Sequence, residues 1–220
     1  MLTVVIPAFD EESRVGDTVR AAVTLPDVTR VVVVDDGSRD ATAAAASDAG
    51  ATVWRHPRNQ GKAAAMETGA RAAGSGTLLF LDADLGATAA NAEPLIAPVV
   101  AGEADMTIAA FRSIVKLGGH GIVVAAARWG IHRATGWTPT QPLNGQRCLT
   151  WDAFTAARPL ARGFGVETGM TIDLLRRGLR VREVEVDMSH RATGGDLSSQ
   201  LHRARQLLDV TRALATRVLT

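Results

Sequence analysis

The sequence predicts an α/β protein with a mostly parallel sheet flanked by helices. Short apolar runs, typical of strands buried on both faces of a parallel sheet, recur in the first half of the chain. Acidic residues follow each run, and alanine-rich segments with helical spacing lie between the runs. This alternation is typical of doubly wound α/β sheets. The apolar runs are residues 3–9, 30–34 and 77–81.

Helices in the first half are predicted at residues 13–22, 40–49 and 61–73. Ser38 or Asp40 is expected to cap the second helix, because serine and aspartate are favoured N-cap residues. Gly50 and Gly74 suit helix C-termini, where glycine readily adopts the left-handed backbone.

The second half is less regular. Residues 111–121 are glycine-rich and predicted to form a loop. Residues 180–188 alternate as a strand does, but the step from Val181 to Val184 breaks the period of two and allows a β-bulge. The last helix, 200–219, is predicted to be amphipathic, with an apolar face of Leu201, Leu207, Leu208, Leu214 and Val218. Further strands are predicted at 105–109 and 146–150, and further helices at 122–135 and 168–177.

Composition excludes several classes of protein. The 220 residues carry 24 Lys and Arg against 23 Asp and Glu, and 46% are hydrophobic. This balance argues against a basic nucleic-acid binder and against an acidic disordered chain. The charges are unevenly placed: residues 1–110 carry −7, with 8 basic and 15 acidic side chains, and residues 111–220 carry +8, with 16 basic and 8 acidic.

A single cysteine, Cys148, allows no intrachain disulfide and favours a reducing compartment. Cys148 itself is expected to be a buried small hydrophobic residue. The N-terminus lacks the pattern of a signal peptide, and no stretch approaches the ~20 apolar residues of a membrane span. The expected location is cytoplasmic, with peripheral contact at the inner face of the membrane as an alternative.

Acidic pairs follow the three predicted strands: Glu11 and Glu12, Asp35 and Asp36, and then Asp82 and Asp84. Ligands of open parallel sheets bind at the carboxyl ends of the strands, so these groups are expected to line one negative cleft. Carboxylates there suit Mg²⁺ or Mn²⁺, which can bridge to a diphosphate. The alternative is that Asp82 and Asp84 only cap the following helix.

Two phosphate-binding motifs are excluded. The Gly61-Lys62 pair lacks the earlier glycine and the following Ser or Thr of a P-loop, since His56 and Ala63 occupy those places. The glycines at 74 and 76 precede a predicted strand instead of following one, so they form no dinucleotide fingerprint.

Four segments together resemble the family 2 glycosyltransferases of the GT-A fold. They read VVIPAFDEE at 4–12, VVDDGSRDAT at 33–42, NQGK at 59–62 and FLDAD at 80–84. The resemblance weakens towards residue 195, through 144–148 and 163–167. It is greatest to polyprenyl- or dolichyl-phosphate hexose synthase catalytic domains, and glucosyl-3-phosphoglycerate synthases are similar in architecture. It implies a Rossmann-like, mostly parallel sheet.

The resemblance also implies roles for individual residues. Asp84 and His190 are expected to bind the metal, and Glu167 lies near the acidic motif that supplies the base, although Thr168 follows it where family members often carry Asp. Arg191 and His190 are expected at the diphosphate or acceptor, unless this stretch is a plain loop. Arg147 is expected to meet an acceptor phosphate or to pair with a carboxylate. The expected donor-binding residues are Pro7, Ala8, Glu11, Asp35, Asp36, Gly61, Lys62, Asp82 and Ala83.

These observations predict a metal-dependent glycosyltransferase that moves a hexose from a UDP- or GDP-sugar to a phosphorylated or polyprenyl-phosphate acceptor. Transfer to a small acid, as in glucosyl-3-phosphoglycerate synthases, and a non-catalytic sugar-nucleotide-binding protein are the alternatives. A nucleotidyltransferase is disfavoured, because acidic residues 10–12 stand where that class places a basic glycine-rich loop.

The expected organisation is one domain. Its nucleotide-sugar half is 1–110, its acceptor half is 111–195, and its C-terminal helix is 196–220. The basic side chains of the last helix, together with Arg128 and Arg133, are expected either to be solvated or to meet anionic lipid. A homodimer is a further alternative.

Overall fold

One sheet organises the fold in the computed structural model, which describes residues 1–112, 121–189 and 197–218. Its strands are Leu2–Ala8 (β1), Val28–Asp35 (β2), Thr52–Arg55 (β3), Thr77–Phe80 (β4), Met106–Phe111 (β5), Arg147–Thr150 (β6) and Val181–Val186 (β7). Within the described residues the strand order is β3-β2-β1-β4-β6-β5-β7.

Most neighbouring strands run parallel, as the sequence predicts. β1 pairs in parallel with β2 and β4, β2 with β3, and β5 with β7. β6 is antiparallel to both β4 and β5. Because β6 runs the other way, its first residue, Arg147, pairs with Phe80 at the end of β4. The residues just before β6 therefore lie at the edge where the parallel strands end.

The helices in the described residues correspond closely to the sequence prediction. They are Val15–Val23 (α1), Thr42–Asp48 (α2), Lys62–Ala73 (α3), Glu93–Val100 (α4), Gly121–Thr135 (α5), Trp151–Ala156 (α6), Val166–Arg176 (α7) and Leu197–Val218 (α8). Short 3₁₀ helices occupy Gly86–Ala92 and Gly163–Gly165. Gly74 is the C-cap of α3, and Gly50 follows the C-cap of α2, as expected.

Three elements were not predicted. β3 is a four-residue edge strand, α4 contains Pro98, and α6 has only six residues, so each gives a weak sequence signal. The N-cap position of α2 is Ala41, but Asp40 just before it accepts a hydrogen bond from the Thr42 amide at 3.0 Å, as a capping side chain would. Ser38, the other predicted cap, instead accepts a hydrogen bond from the Asp10 amide. β5 and β7 pair in unbroken register, so this strand has no bulge. Most of the predicted 111–121 loop lies outside the described residues.

Helices cover both faces of the sheet. Val4 and Ile6 of β1 face a core shared with α1 and α4, whereas Val5 faces one shared with α3, α6 and α7. A Cβ on Gly69 of α3 would lie 2.2 Å from Val5 Cγ1, so α3 approaches the sheet closely only because this residue is glycine. Cys148 is buried in β6, and burial raises the pKa of its thiol, as expected for a core residue.

α8 packs against α5 and α7 through buried Val210, Ala213 and Leu214. Arg217 forms an ion pair with Asp173 of α7 at 2.7 Å. Of the predicted apolar face, Leu214 is buried and Leu207 half-buried, but Leu208 is exposed; the side chains of Leu201 and Val218 lie outside the described ones. No helix in the described part of the chain is both long and apolar enough to span a membrane.

Candidate active site

Two groups of side chains lie along the edge of the sheet where β1, β2 and β4 end. We call the group around Asp35, Asp36 and His56 the β2 corner. We call the group formed by Lys62, Asp82, Asp84, Gln146 and Glu167 the β4 corner. Ligands of open α/β sheets bind at this edge, so both groups are candidates for the site.

At the β2 corner, Asp36 accepts hydrogen bonds from the protein at both carboxylate oxygens. Oδ1 accepts from His56 Nδ1 at 2.6 Å and from the Gln60 amide at 2.9 Å, and Oδ2 accepts from the Gly61 amide at 2.7 Å. His56 Nε2 lies 2.9 Å from Thr68 Oγ1 of α3. Asp36 thus attaches the loop before α3, and the helix itself, to the end of β2.

Asp35 is also engaged within the protein. Its side chain is fully buried, and it accepts from the Ser38 amide at 2.8 Å and pairs with Arg55 Nε at 3.0 Å. In the structure, both carboxylates bond to donors of the protein. The predicted contact of Asp35 and Asp36 with a base or ribose stays a prediction.

The loop after β1 is joined to the loop after β2. The Glu11 amide donates to Thr42 Oγ1 at 2.8 Å, and the Arg39 amide donates to Asp10 Oδ1 at 2.8 Å. Of the predicted donor-binding residues here, Pro7 and Glu11 are half-buried and Ala8 is buried. The two acidic loops consequently form one wall of the edge.

Beside the β2 corner lies an open cavity of about 350 Å³. Its lining residues are Gly37, Ser38, Arg55, His56 and Pro57. Both ring nitrogens of His56 bond Asp36 and Thr68, and Arg55 bonds Asp35 and the Ser38 carbonyl, so among the described groups the backbone and the other terminal nitrogen of Arg55 are the ones a polar planar ligand can use.

At the β4 corner, Lys62 bridges two carboxylates. Its Nζ lies 2.7 Å from Asp82 Oδ1 and 2.9 Å from Glu167 Oε1. Burial alone would lower the pKa of Lys62, but the two carboxylates outweigh it and raise that pKa above its ordinary value. Lys62 therefore stays charged and holds α3, the turn after β4 and the start of α7 together.

Gln146 and Gly145 complete this corner, and sequence reasoning assigned neither a role. Gln146 Nε2 donates to Asp82 Oδ2 at 2.9 Å. A Cβ on Gly145 would lie 2.4 Å from Lys62 Nζ and 3.0 Å from both Asp82 carboxylate oxygens, so a side chain there would displace the ion pair. The antiparallel direction of β6, which brings these residues to the edge, has no local sequence signal.

The backbone of the 82–84 turn is fixed by α1. Thr18 Oγ1 donates to the Ala83 carbonyl at 2.8 Å, and Arg14 donates to the Asp84 carbonyl at 3.1 Å. The 3₁₀ helix that follows has Leu85 at its N-cap and no side-chain cap bond. The alternative that Asp82 and Asp84 only cap a helix is therefore wrong.

A divalent cation fits the donor chemistry of this turn, because Mg²⁺ and Mn²⁺ prefer carboxylate oxygens. Asp84, the predicted ligand, lies in this turn two residues after Asp82, which bonds Lys62 and Gln146. Among the described residues, no group of three or more His, Cys, Asp or Glu is placed to hold a metal. The predicted second ligand, His190, and Arg191 lie outside the described residues.

Arg147 does not reach the surface of the site. Its side chain is 1% exposed, and its guanidinium donates to the Asn144 carbonyl at 3.0 Å and to Thr171 Oγ1 at 2.9 Å. Because the guanidinium is buried and bonds protein groups, this geometry does not favour the predicted contact with an acceptor phosphate. Glu167, the predicted base, is buried at the start of α7 and faces Lys62.

Comparison with known proteins agrees with this geometry. Residues 3–146 match the family model described as glycosyl transferase family 2. The chain is 29% identical to glucosyl-3-phosphoglycerate synthase of Mycolicibacterium paratuberculosis over 203 residues, which cover 80% of this chain and 60% of the relative. It is 27% identical to glycosyltransferase AglJ of Haloferax volcanii over 204 residues, which cover 88% of this chain and 64% of the relative.

Solved structures give the same result. A crystal structure of glucosyl-3-phosphoglycerate synthase from Mycobacterium tuberculosis, in complex with Mn²⁺, UDP and phosphoglyceric acid, matches with a TM-score of 0.83 and 26% identity. The match covers 99% of this chain and 78% of that one. The likeness confirms the predicted GT-A fold. The present chain spans about 60% of the length of the glucosyl-3-phosphoglycerate synthases that it matches in sequence.

Proposed function

The chain belongs to glycosyl transferase family 2, and from that premise we propose that it transfers a hexose from a nucleotide-diphosphate sugar to a phosphorylated acceptor. The observation that carries the proposal is the β4 corner. There Lys62, Asp82 and Glu167 meet at the carboxyl edge of the sheet, beside the half-buried carboxylate of Asp84.

The donor is proposed to lie along the edge, with its base at the β2 corner and its diphosphate towards Asp84. The cavity lined by His56 and Arg55 offers polar contacts to the base. Asp84 would hold Mg²⁺ or Mn²⁺, and a bound cation would supply positive charge to the departing diphosphate. The solved relative that binds Mn²⁺ and UDP supports a uridine donor, whereas this chain's own residues do not select the base.

Glu167 is proposed to accept the proton of an acceptor hydroxyl. It is buried and shares Lys62 with Asp82, which supports a position on the sugar side of the proposed donor. Thr168 stands where a second carboxylate is common in the family, so Glu167 would act alone. The relatives named for glucosyl-3-phosphoglycerate synthesis favour a small phosphorylated acid as the acceptor. A polyprenyl phosphate is the alternative acceptor. Its phosphate is already anionic, so transfer to it would need little help from a base.

The test is turnover of UDP- and GDP-sugars with Mg²⁺ or Mn²⁺ and a panel of phosphorylated acids and polyprenyl phosphate. Asp84→Ala should reduce transfer by about 10²-fold or more. Asp17→Ala is the matched control, because Asp17 is an exposed carboxylate on α1 that pairs only with Arg20 among the described residues. Wild-type protein that binds a donor but transfers sugar to no acceptor would favour a non-catalytic sugar-nucleotide-binding protein.

A membrane contact is a second, separable part of the proposal. Ile122 and Trp129 are exposed on α5, one heptad apart and thus on one helix face, and exposed Arg133 lies one turn beyond Trp129. Apolar side chains beside basic ones suit the surface of an anionic bilayer. Flotation with anionic vesicles at low salt tests this contact: Trp129→Ser should reduce binding, and wild-type protein that does not float contradicts it.

A further inference from the structure

Arg147 is a large buried side chain in the predicted acceptor half, residues 111–195, and the proposed chemistry does not use it. It is the first residue of β6 and is 1% exposed. In the described part of the chain, no carboxylate lies within ion-pair distance, 4.0 Å, of its guanidinium. A buried charge without a direct partner is costly, so its position calls for a physical explanation.

The hydrogen bonds of Arg147 connect two parts of the β4 corner. Nε donates to the Asn144 carbonyl at 3.0 Å, and a terminal nitrogen lies 3.4 Å from the Pro142 carbonyl, so the guanidinium fixes the turn that carries Gly145 and Gln146. Another terminal nitrogen donates to Thr171 Oγ1 at 2.9 Å. Thr171 Oγ1 in turn donates to the Glu167 carbonyl at 2.9 Å. One side chain therefore reaches both the turn before β6 and the first turn of α7.

The charge of Arg147 acts on the same groups. Burial lowers the pKa of Arg147 to about 10, while the carboxylates of Glu167, Glu183 and Asp82 oppose that change. The guanidinium therefore stays charged near neutral pH. Asp82, Asp84 and Glu167 contribute three negative charges to the corner, which Lys62 and Arg147 offset in part.

We infer that Arg147 is a positioning residue that sets the place of Glu167 and Gln146 through Thr171 and the 142–144 backbone, and that it does not bind the acceptor. The inference rests on the proposed function for its catalytic consequence. Its structural part, the link from β6 to the first turn of α7, can be tested without any turnover.

The experiment compares four variants. Arg147→Met removes the charge and the hydrogen bonds, Thr171→Val removes the hydroxyl relay only, and Arg30→Met is the matched control. Arg30 is a half-buried strand arginine that donates to the Ala72 carbonyl, away from the site. Arg147→Lys, which keeps the charge, is the conservative variant.

Arg147→Met should lower kcat about tenfold or more with donor and acceptor KM changed less than about threefold, because the base is misplaced while the binding residues remain. Thr171→Val should show a smaller kcat loss in the same direction, and Arg147→Lys should recover part of the activity. Arg30→Met should leave kcat unchanged. A large rise in acceptor KM at constant kcat would instead identify Arg147 as an acceptor ligand and overturn the inference.

Hydrogen exchange supplies the readout that does not depend on activity. Amides of the first turn of α7, residues 166–170, should exchange faster in Arg147→Met and Thr171→Val than in Arg30→Met at matched global stability. Exchange that rises equally in these three variants overturns the inference. If wild-type protein transfers no sugar, the proposed function fails, and the exchange comparison still decides whether Arg147 positions α7.

Discussion

The β2 and β4 corners use the same kind of residue for different purposes. At the β2 corner, Asp36 accepts two backbone amides and an imidazole, and its side chain is 5% exposed. At the β4 corner, Asp82 bonds the side chains of Lys62 and Gln146, and it is 25% exposed. Asp36 is bound mainly by the backbone of the loop before α3, and Asp82 by side chains.

This difference indicates which carboxylates stabilise the fold at the sheet edge and which are able to contact a ligand. Backbone amides cannot move without unfolding their loop, so the carboxylate of Asp36 is committed to the fold. The side chains of Lys62 and Gln146 can change rotamer when a ligand approaches. We therefore expect substitutions at the β2 corner to reduce stability and substitutions at the β4 corner to reduce activity.

The largest effect is expected for Asp36→Ala. It removes the acceptor for His56 and for the amides of Gln60 and Gly61, and buried donors left without a partner are costly. The free energy of unfolding should fall by about 3 kcal/mol or more, measured by urea denaturation. Asp17→Ala, which breaks an exposed pair, should change it by less than about 1 kcal/mol. Equal losses in both variants would contradict a structural role for Asp36.

Glu167→Gln should have the opposite effect from Asp36→Ala, because it should reduce activity more than stability. The amide keeps the shape of the side chain but cannot accept a proton, so kcat should fall by about 10²-fold. Lys62 retains Asp82 as a partner and the glutamine amide oxygen can still accept its hydrogen bond, so we expect the free energy of unfolding to fall by about 1–2 kcal/mol, less than in Asp36→Ala. Steady-state kinetics and urea denaturation measure the two quantities. A loss of stability as large as that of Asp36→Ala would remove the distinction between the corners.

The parts that the sequence predicts are those with local patterns. The apolar runs and acidic turns predict β1, β2 and β4 and the approach of Asp82 and Asp84 to the edge of the sheet, and the family resemblance adds Lys62. Gln146 could not be found in this way, because its place depends on β6 running antiparallel between β4 and β5. His56 was missed for a similar reason: its partner Asp36 directly follows β2, 20 residues earlier in the chain.

Gly145→Ala tests how tightly the β4 corner is packed. The added Cβ would meet Lys62 Nζ and the Asp82 carboxylate, which are ends of side chains and can shift. Transfer should fall by about tenfold, because the bridging lysine is displaced, while stability changes little. Gly69→Ala is the matched variant: its Cβ meets Val5 in the core, and we expect a loss of about 1–3 kcal/mol with kcat of the folded enzyme preserved. The reverse pattern would contradict the comparison.

The smallest effect on stability is expected for the ion pair of Arg180 and Asp105, at the opposite edge of the sheet. This pair is the reference against which changes at the two corners are compared. Arg180 donates to Asp105 with its amide at 2.7 Å and with its guanidinium at 2.9 and 3.1 Å. The side-chain hydrogen bonds from Arg180 lower the pKa of Asp105, and burial of the carboxyl opposes this shift. A carboxyl with a lowered folded-state pKa stabilises the protein above its unfolded pKa of about 3.9, and the stabilisation is lost as the pH falls through the folded pKa.

Wild-type protein should therefore exceed Arg180→Met in unfolding free energy at pH 7 only slightly, because Arg180 is largely exposed. The gap should close as the pH falls through the folded-state pKa of Asp105. Urea denaturation at neutral pH and across a series of acidic pH values measures it. A gap that persists in acid would mean that Arg180 stabilises the protein by packing and not by its charge.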